Sequence, residues 1–316
     1  MRVLFLGTPE FSVPPLRAIR EAGHEVALVV TRPDAAQGRG RQPAEPAVKS
    51  AARSMGLTVY QPRSVNRTEA AERLRAASAD VGVVVAYGQI LKPRVLLTAR
   101  GGFLNLHASL LPKYRGAAPI NWANIHGERE TGVTVQRVTP DLDAGPVLAQ
   151  RRVAVGADET AGELHDRLCE AGSALLVEVL GVMARGENVP ALAQDASAVS
   201  WAPKLTKEDG RLDWRLGADE IRNRVRGLTP WPGATCCFVG GKRAVDVTLL
   251  RAAVGPAAGP DAPPGAVVGI GPREEIIVRA GRGSVIIEKL KPASGRAMDA
   301  ADFVHGHRVR PGDRFE

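Results

Sequence analysis

The stretch Val81-Gly-Val-Val-Val85 is apolar at every position, and four of its five residues are valine. β-Branched side chains favour extended backbone and pack well on a pleated surface. A strand that is apolar on both faces must be covered on both. Parallel sheets flanked by helices provide that cover, whereas an antiparallel sheet with one wet face shows strict alternation. The run therefore predicts a central strand of a layered α/β domain.

The surrounding pattern agrees. Val3-Leu-Phe-Leu6 reads as a second buried strand, and residues 25–30 and 58–60 as further strands. Between them, residues 13–22, 47–55 and 68–77 have helical spacing, the first with Pro14-Pro15 near its start. Another strand follows at 103–106. This β-α-β-α order predicts a doubly wound, mostly parallel, Rossmann-like sheet. Residues 131–138 and 145–155 then read as a hairpin. Residues 159–185 form a long helix with Leu164, Leu168, Leu175, Leu176, Val179 and Leu180 as its apolar stripe.

The pattern changes near residue 186. A polar, irregular stretch over 186–204 reads as a linker. From 205 to 316 one helix (219–226) precedes short strands at 234–238, 244–250, 266–269, 275–279 and 284–290, punctuated by Gly and Pro. Such spacing predicts a small β-barrel of the OB-like kind. The length of 316 residues suits two domains. The expected division is 1–185, a linker over 186–204, and 205–316.

The chain carries a formal net charge of +8. That excess favours an anionic partner such as a nucleic acid, nucleotide or folate, although a general preference for Arg over Lys also contributes. Cys169, Cys236 and Cys237 make no disulfide framework and no C-x-x-C pair. The opening apolar run is too short for a signal peptide. No segment nears the roughly 20 apolar residues of a membrane span. The expectation is a cytoplasmic, monomeric protein without membrane attachment.

Several chemistries lack their motifs. Gly7-Thr-Pro-Glu10 is not G-x-G-x-x-G, no Walker A sequence occurs, and G-x-S-x-G is missing, which argues against Ser109 as a hydrolase nucleophile. No cluster has metal-ligand spacing. The positive signal is that Asn105, His107 and Ser109 alternate where the strand from Phe103 ends, and so share a face. Doubly wound sheets bind ligands at the carboxyl ends of their strands. Asp143 lies downstream in the turn-rich Thr139-Pro-Asp-Leu-Asp-Ala-Gly145. On its own, a turn Asp is more often an Asx turn than a catalyst. As a set the residues suit acyl transfer to an amine. Asn donates to an oxyanion, His exchanges protons near neutral pH, and Asp steadies the His.

These residues resemble the methionyl-tRNA formyltransferase family. The likeness runs through Phe5-Leu-Gly-Thr-Pro-Glu-Phe11, Val84-Val-Ala-Tyr-Gly88, Asn105-Leu-His-Ala-Ser-Leu-Leu-Pro112, Arg115-Gly-Ala-Ala-Pro-Ile120 and Leu142-Asp-Ala-Gly145. Ala202-Pro-Lys-Leu-Thr-Lys207, Asp213-Trp214 and Pro230-Trp-Pro232 extend it. The resemblance implies formyl transfer from 10-formyltetrahydrofolate, as a substrate and not a tightly bound cofactor, to the amino group of initiator methionyl-tRNA. It implies that Asn105 polarises the formyl oxygen. His107 stabilises the oxyanion or shuttles a proton, and Asp143 orients His107 and helps to deprotonate the amine. Ser109, Leu110, Leu111 and Pro112 would line the folate site, with Tyr87, Gly88, Ile90 and Leu91 near the pterin. No metal is implied.

Two positions depart from the family pattern: Asp141 stands where Gly is frequent, and Pro146 where an acidic residue is usual. On the RNA side, the basic loop Arg32-Pro-Asp-Ala-Ala-Gln-Gly-Arg-Gly-Arg41 makes Arg39 and Arg41 candidates for the acceptor stem. Lys204, Lys207, Arg222, Arg224, Arg226 and Lys242 are candidates for the RNA backbone. The competing readings are a sugar-nucleotide formyltransferase or formyl-folate hydrolase, sharing the catalytic set, and a non-catalytic RNA-binding protein.

Overall fold

A computed structural model describes residues 1–37, 42–241, 243–257 and 262–316. The chain forms two compact units. The first comprises Met1–Gly116, Glu130–Ala154 and His165–Ala202. The second comprises Ala117–Arg129, Val155–Leu164 and Pro203–Glu316.

The first unit is built on a seven-stranded sheet. Its strands are β1 (Arg2–Gly7), β2 (Glu25–Val30), β3 (Val59–Tyr60), β4 (Val81–Val85), β5 (Phe103–His107), β6 (Glu130–Arg137) and β7 (Val147–Ala154). They lie in the order β7-β6-β5-β4-β1-β2-β3. The first five run parallel, and β6 is antiparallel to both β5 and β7. The α/β class and the mostly parallel sheet are those the sequence predicts. Progression reverses between β1 and β4, the switch point at which such sheets open a crevice.

β4 is buried along its whole length. The glycine inside its valine run has a packing cause. A Cβ on Gly82 would lie 2.2 Å from the ring of Phe103 on the adjacent strand. The aromatic ring fills that gap and helps seat β5 beside β4. Helices α1 (Val13–Glu21), α2 (Ala47–Ser54) and α3 (Thr68–Ala76) connect the early strands. α1 carries Pro at its first turn, where a missing N–H costs nothing. α4 (Ala161–Ala184) lays Gly172 against β5, where an added Cβ would sit 3.0 Å from Leu106.

The stretch over 186–202 runs along the first unit as a strap. Leu192 and Val147 exchange two backbone hydrogen bonds of 2.8 Å. Trp201–Ala202 pairs in parallel with Arg115–Gly116. Its polar composition reads only as a link, because backbone pairing leaves no signature in side-chain hydrophobicity.

In the second unit a short strand, Met298–Asp299, joins a sheet of six others that curl into a nearly closed barrel. They are β8 (Ala234–Gly240), β9 (Arg243–Val254), β10 (Val267–Ile270), β11 (Ile276–Arg279), β12 (Ser284–Pro292) and β13 (Arg314–Phe315), in the order β10-β11-β12-β9-β8-β13. The ends meet where Val267 N donates to Asp313 O and Phe315 N to Gly265 O, each at 2.7 Å. Phe238 packs 5.2 Å from both Phe303 and Phe315 by ring centroids. Helix α5 (Ala218–Leu228) buries Ile221, Val225 and Leu228, and Glu220 accepts from Gly217 N at its start. The sequence pattern did not reveal β13, the short helix Pro119–Ile125 or helix α6 (Ala300–His307). Each is too short or too mixed in polarity to show a period.

Candidate active site

β5 ends in Asn105-Leu-His107, and its alternation places Asn105 and His107 on one face. A parallel strand that ends at the crevice presents such side chains to whatever binds there. Asp143 reaches the same place from the loop between β6 and β7. Asn105 Nδ2 donates to Asp143 Oδ1 at 3.4 Å, and Gly116 N donates to Asp143 Oδ2 at 2.9 Å. His107 Nδ1 stands 3.7 Å from Asp143 Oδ2. The three predicted catalytic residues thus converge, although β5 and Asp143 are far apart in sequence.

His107 is 6% exposed, so its two ring nitrogens have defined neighbours. Nε2 lies 2.9 Å from the carbonyl oxygen of Tyr114. A carbonyl only accepts, so Nε2 carries a proton and donates it there. Nδ1 is left without that proton and faces Asp143. The separation of 3.7 Å is too long for a direct hydrogen bond but short enough for Coulombic attraction to an imidazolium.

Asp143 occupies the left-handed region, with φ of +50°. That conformation costs an ordinary residue about 1–2 kcal/mol, and Asp and Asn tolerate it best. Gln194, on the strap, holds the loop there. Its Nε2 donates to Asp143 O at 2.9 Å and to Gly145 O at 2.8 Å. Its Oε1 accepts from Arg115 Nη2 at 2.7 Å and Nε at 3.1 Å. The Gln136 amide, 2% exposed on β6, lies 3.3 Å from Asp143 Oδ1 and 3.1 Å from the Gln194 amide. Sequence reasoning missed Gln136, Gln194, Arg115 and the Gly116 amide. Gln136 carried little signal, because its strand, Glu130–Arg137, is mixed in polarity throughout. Gln194 carried none, lying in an irregular polar stretch.

Gly116 has φ of +123°, and a Cβ there would sit 2.6 Å from Ala202 O. Only glycine permits that backbone together with the close approach of the strap. The ladder fixes the direction in which the Gly116 N–H points at Asp143.

Of the predicted folate residues, Ser109 is fully buried and its hydroxyl donates to Lys113 O at 2.6 Å. Its carbonyl accepts from Thr134 Oγ1, and Thr134 Oγ1 accepts from Leu111 N. Leu111 is buried, while Leu110 and Pro112 are half-buried. Ser109 therefore stiffens its own turn with its hydroxyl. Tyr87 and Leu91 face the core, with burial pushing the Tyr87 hydroxyl up to about 12. Gly88 and Ile90 are exposed. β4 and β5 are parallel neighbours, so residues 87–91 and 109–112 leave the sheet at the same edge. Asp141 is exposed, and the Pro146 carbonyl accepts from Arg137 N.

Among the predicted RNA residues, Lys204 and Lys207 are exposed, and Arg222 and Arg224 half-buried. Arg226 corrects the expectation of a phosphate contact. It is 5% exposed, and its guanidinium donates to Asn124 Oδ1, Gly156 O and Asn223 Oδ1. Burial lowers its pKa from the ordinary arginine value. A helix periodicity cannot tell a buried arginine with amide partners from a solvated one. Arg39, Arg41 and Lys242 lie outside the described residues. Among the described residues, no helix is long and apolar enough to cross a membrane. No group of three or more His, Cys, Asp or Glu among them is arranged to hold a metal ion.

The site and the sheet that carries it define a formyl transferase. A family model described as formyl transferase matches residues 1–180, and one described as formyl transferase, C-terminal domain, matches 204–308. Enzymes of this class use folate derivatives as substrates. More narrowly, the chain belongs to the methionyl-tRNA formyltransferase family. It is 44% identical over 318 residues to the methionyl-tRNA formyltransferase of Heliobacterium modesticaldum, covering 100% of both chains. To that of Citrifermentans bemidjiense it is 43% identical, covering 99% of this chain and 95% of the relative. The fold is shared with an N-formyltransferase from Helicobacter canadensis solved with folinic acid and dTDP-3-aminofucose. That likeness has a TM-score of 0.64 at 15% identity, over 90% of this chain and 98% of the other.

Proposed function

We propose that Asn105, His107 and Asp143 carry the transfer of the formyl group of 10-formyltetrahydrofolate to the methionine amine of initiator methionyl-tRNA. Their convergence at the end of β5 is the observation that supports this most. The amine nitrogen attacks the formyl carbon, and the carbonyl electrons move onto oxygen. One Asn105 N–H points at Asp143, and the second is available for that oxyanion. One such donor is worth about 10²–10³ in rate. His107 Nδ1 takes the proton that the amine loses, while the Asp143 carboxylate steadies the imidazolium. As the bond from the formyl carbon to N10 breaks, the same proton passes to N10. The products are formyl-methionyl-tRNA and tetrahydrofolate, and no proton is left over. A general base of this kind contributes about 10²–10⁴.

The folate lies along residues 87–91 and 109–112. Residues 1–185 carry the chemistry, and 205–316 meet the RNA, with Lys207 and, at the end of the linker, Lys204 against phosphates. Arg39 and Arg41 meet the acceptor stem. The decisive experiment offers the protein 10-formyltetrahydrofolate with methionyl-tRNA and a competing amino-sugar nucleotide. Formylation of the tRNA alone is expected. Formylation of the sugar, or hydrolysis of the donor without transfer, would overturn the reading. His107→Ala and Asp143→Ala should each lose most transfer while still binding folate. Near-normal turnover in both would remove the catalytic assignment.

A further inference from the structure

Trp201 is 58% exposed, an uncommon state for the largest apolar side chain. It sits on the strap, in register with Arg115, and the next pair is Ala202 with Gly116. The segment is firmly fastened. Tyr114 N donates to Ser200 Oγ and Arg115 N to Ser200 O, both at 2.9 Å. The two residues that flank Arg115 both serve the catalytic groups. Tyr114 O accepts from His107 Nε2, and Gly116 N donates to Asp143 Oδ2. Neighbouring strands lie about 5 Å apart and rise about 3.3 Å per residue, so the Trp201 backbone is one strand spacing and one residue step from the Gly116 amide. Paired residues of neighbouring strands project to the same face. Trp201 therefore shares a face with Arg115, whose guanidinium reaches the Gln194 that holds the Asp143 carbonyl.

We propose that the Trp201 indole is the stacking platform for the unpaired base of the nucleotide that carries the methionyl group. This rests on the reading that the acceptor is an aminoacylated RNA. In such an acceptor only an ester and a ribose separate the reacting amine from the terminal base. A base held beside the catalytic groups therefore delivers the amine to them. An exposed indole on a rigid backbone is the side chain best suited to hold it, because every base has a face to stack. The folate ring is the other flat group in the reaction. Its expected contacts at 87–91 and 109–112 leave the sheet from β4 and β5, and the strap touches them where Ser200 N donates to Pro112 O at 3.4 Å, so the separate KM values for folate and RNA decide which ring meets Trp201.

The test compares the full-length protein with Trp201→Ala and Trp201→Phe in steady-state formylation of methionyl-tRNA. Loss of one base–aromatic stack should raise KM for methionyl-tRNA by about 10- to 100-fold. kcat and KM for 10-formyltetrahydrofolate should stay within about threefold, and Phe should restore most of the loss. Uncharged tRNA with an intact or an abasic terminal nucleotide then serves as competitive inhibitor. Removing the base should weaken inhibition of the unaltered protein and leave inhibition of Trp201→Ala unchanged. An unchanged KM for methionyl-tRNA, a loss that falls equally on the folate, or an abasic penalty that survives in Trp201→Ala would overturn the assignment. Failure of the unaltered protein to formylate methionyl-tRNA would instead refute the acceptor itself.

Discussion

Replacing Gln194 by Ala removes the group that ties the Asp143 loop to the strap without touching any residue proposed to meet substrate. The side chain donates to the carbonyls of Asp143 and Gly145 and accepts twice from Arg115. Each neutral hydrogen bond contributes a net ~1 kcal/mol, and one to a charged group somewhat more. Gln194 is only half-buried, so water replaces part of this. The observed position of the Asp143 loop should lose about 2 kcal/mol, equivalent to about 30-fold in its population. The strain of the left-handed Asp143 works in the same direction. Single-turnover formyl transfer should therefore slow by about 10- to 100-fold, with KM for the folate nearly unchanged. Gln194→Glu separates the causes. It keeps an acceptor for Arg115 but has no N–H for the two carbonyls, so it should be as slow as the Ala variant. Full activity in Gln194→Glu, or a rate within twofold in Gln194→Ala, would show that the strap does not position Asp143.

Arg226→Met should destabilise the protein by about 2–4 kcal/mol in denaturant melts, because Asn124, Gly156 and Asn223 lose their shared donor. It should leave the salt dependence of tRNA affinity unchanged, whereas Lys207→Ala should lower that slope by about one; the opposite pattern would return Arg226 to the RNA interface. For acid stability the relevant group is Asp213, whose carboxyl is held at about 2 by the Arg215 side chain first and the Arg215 N–H second. A folded pKa below the unfolded value of about 3.9 means stability that is complete above that value and lost as pH falls towards 2. Urea titrations between pH 5 and about 2 should show a shallower decline for Asp213→Asn than for the unaltered chain. Equal slopes would refute the linkage.

The layered sheet was legible because its strands announce themselves. The buried run of β4 and the helices between β1 and β4 have strong periods, and the observed bounds fall within a residue or two. The polar strand end at Asn105 and His107 was legible for the same reason, since polarity at an apolar strand's exit has few explanations. Asp143 could not be located from local pattern, because a turn aspartate looks alike whether or not a histidine faces it. Gln194 and the Gly116 amide were invisible. Their roles come from backbone direction and from pairing between segments distant in sequence. Arg226 shows the converse, since a charge in a helix says nothing of the amides that fold around it.

The barrel closes through its last strand, β13, which pairs with β8 and meets the segment around Gly265 and Val267. During synthesis this strand leaves the ribosome after every other strand of the barrel. Until it arrives, β8 and β10 are two open edges with unmatched N–H and C=O groups, the situation that invites pairing with another chain. Phe315 also completes the ring cluster of Phe238 and Trp214. A chain that stops before Arg314 would thus lose its seal and part of its aromatic core together. The expected phenotype is aggregation of newly made protein, and not a slower enzyme.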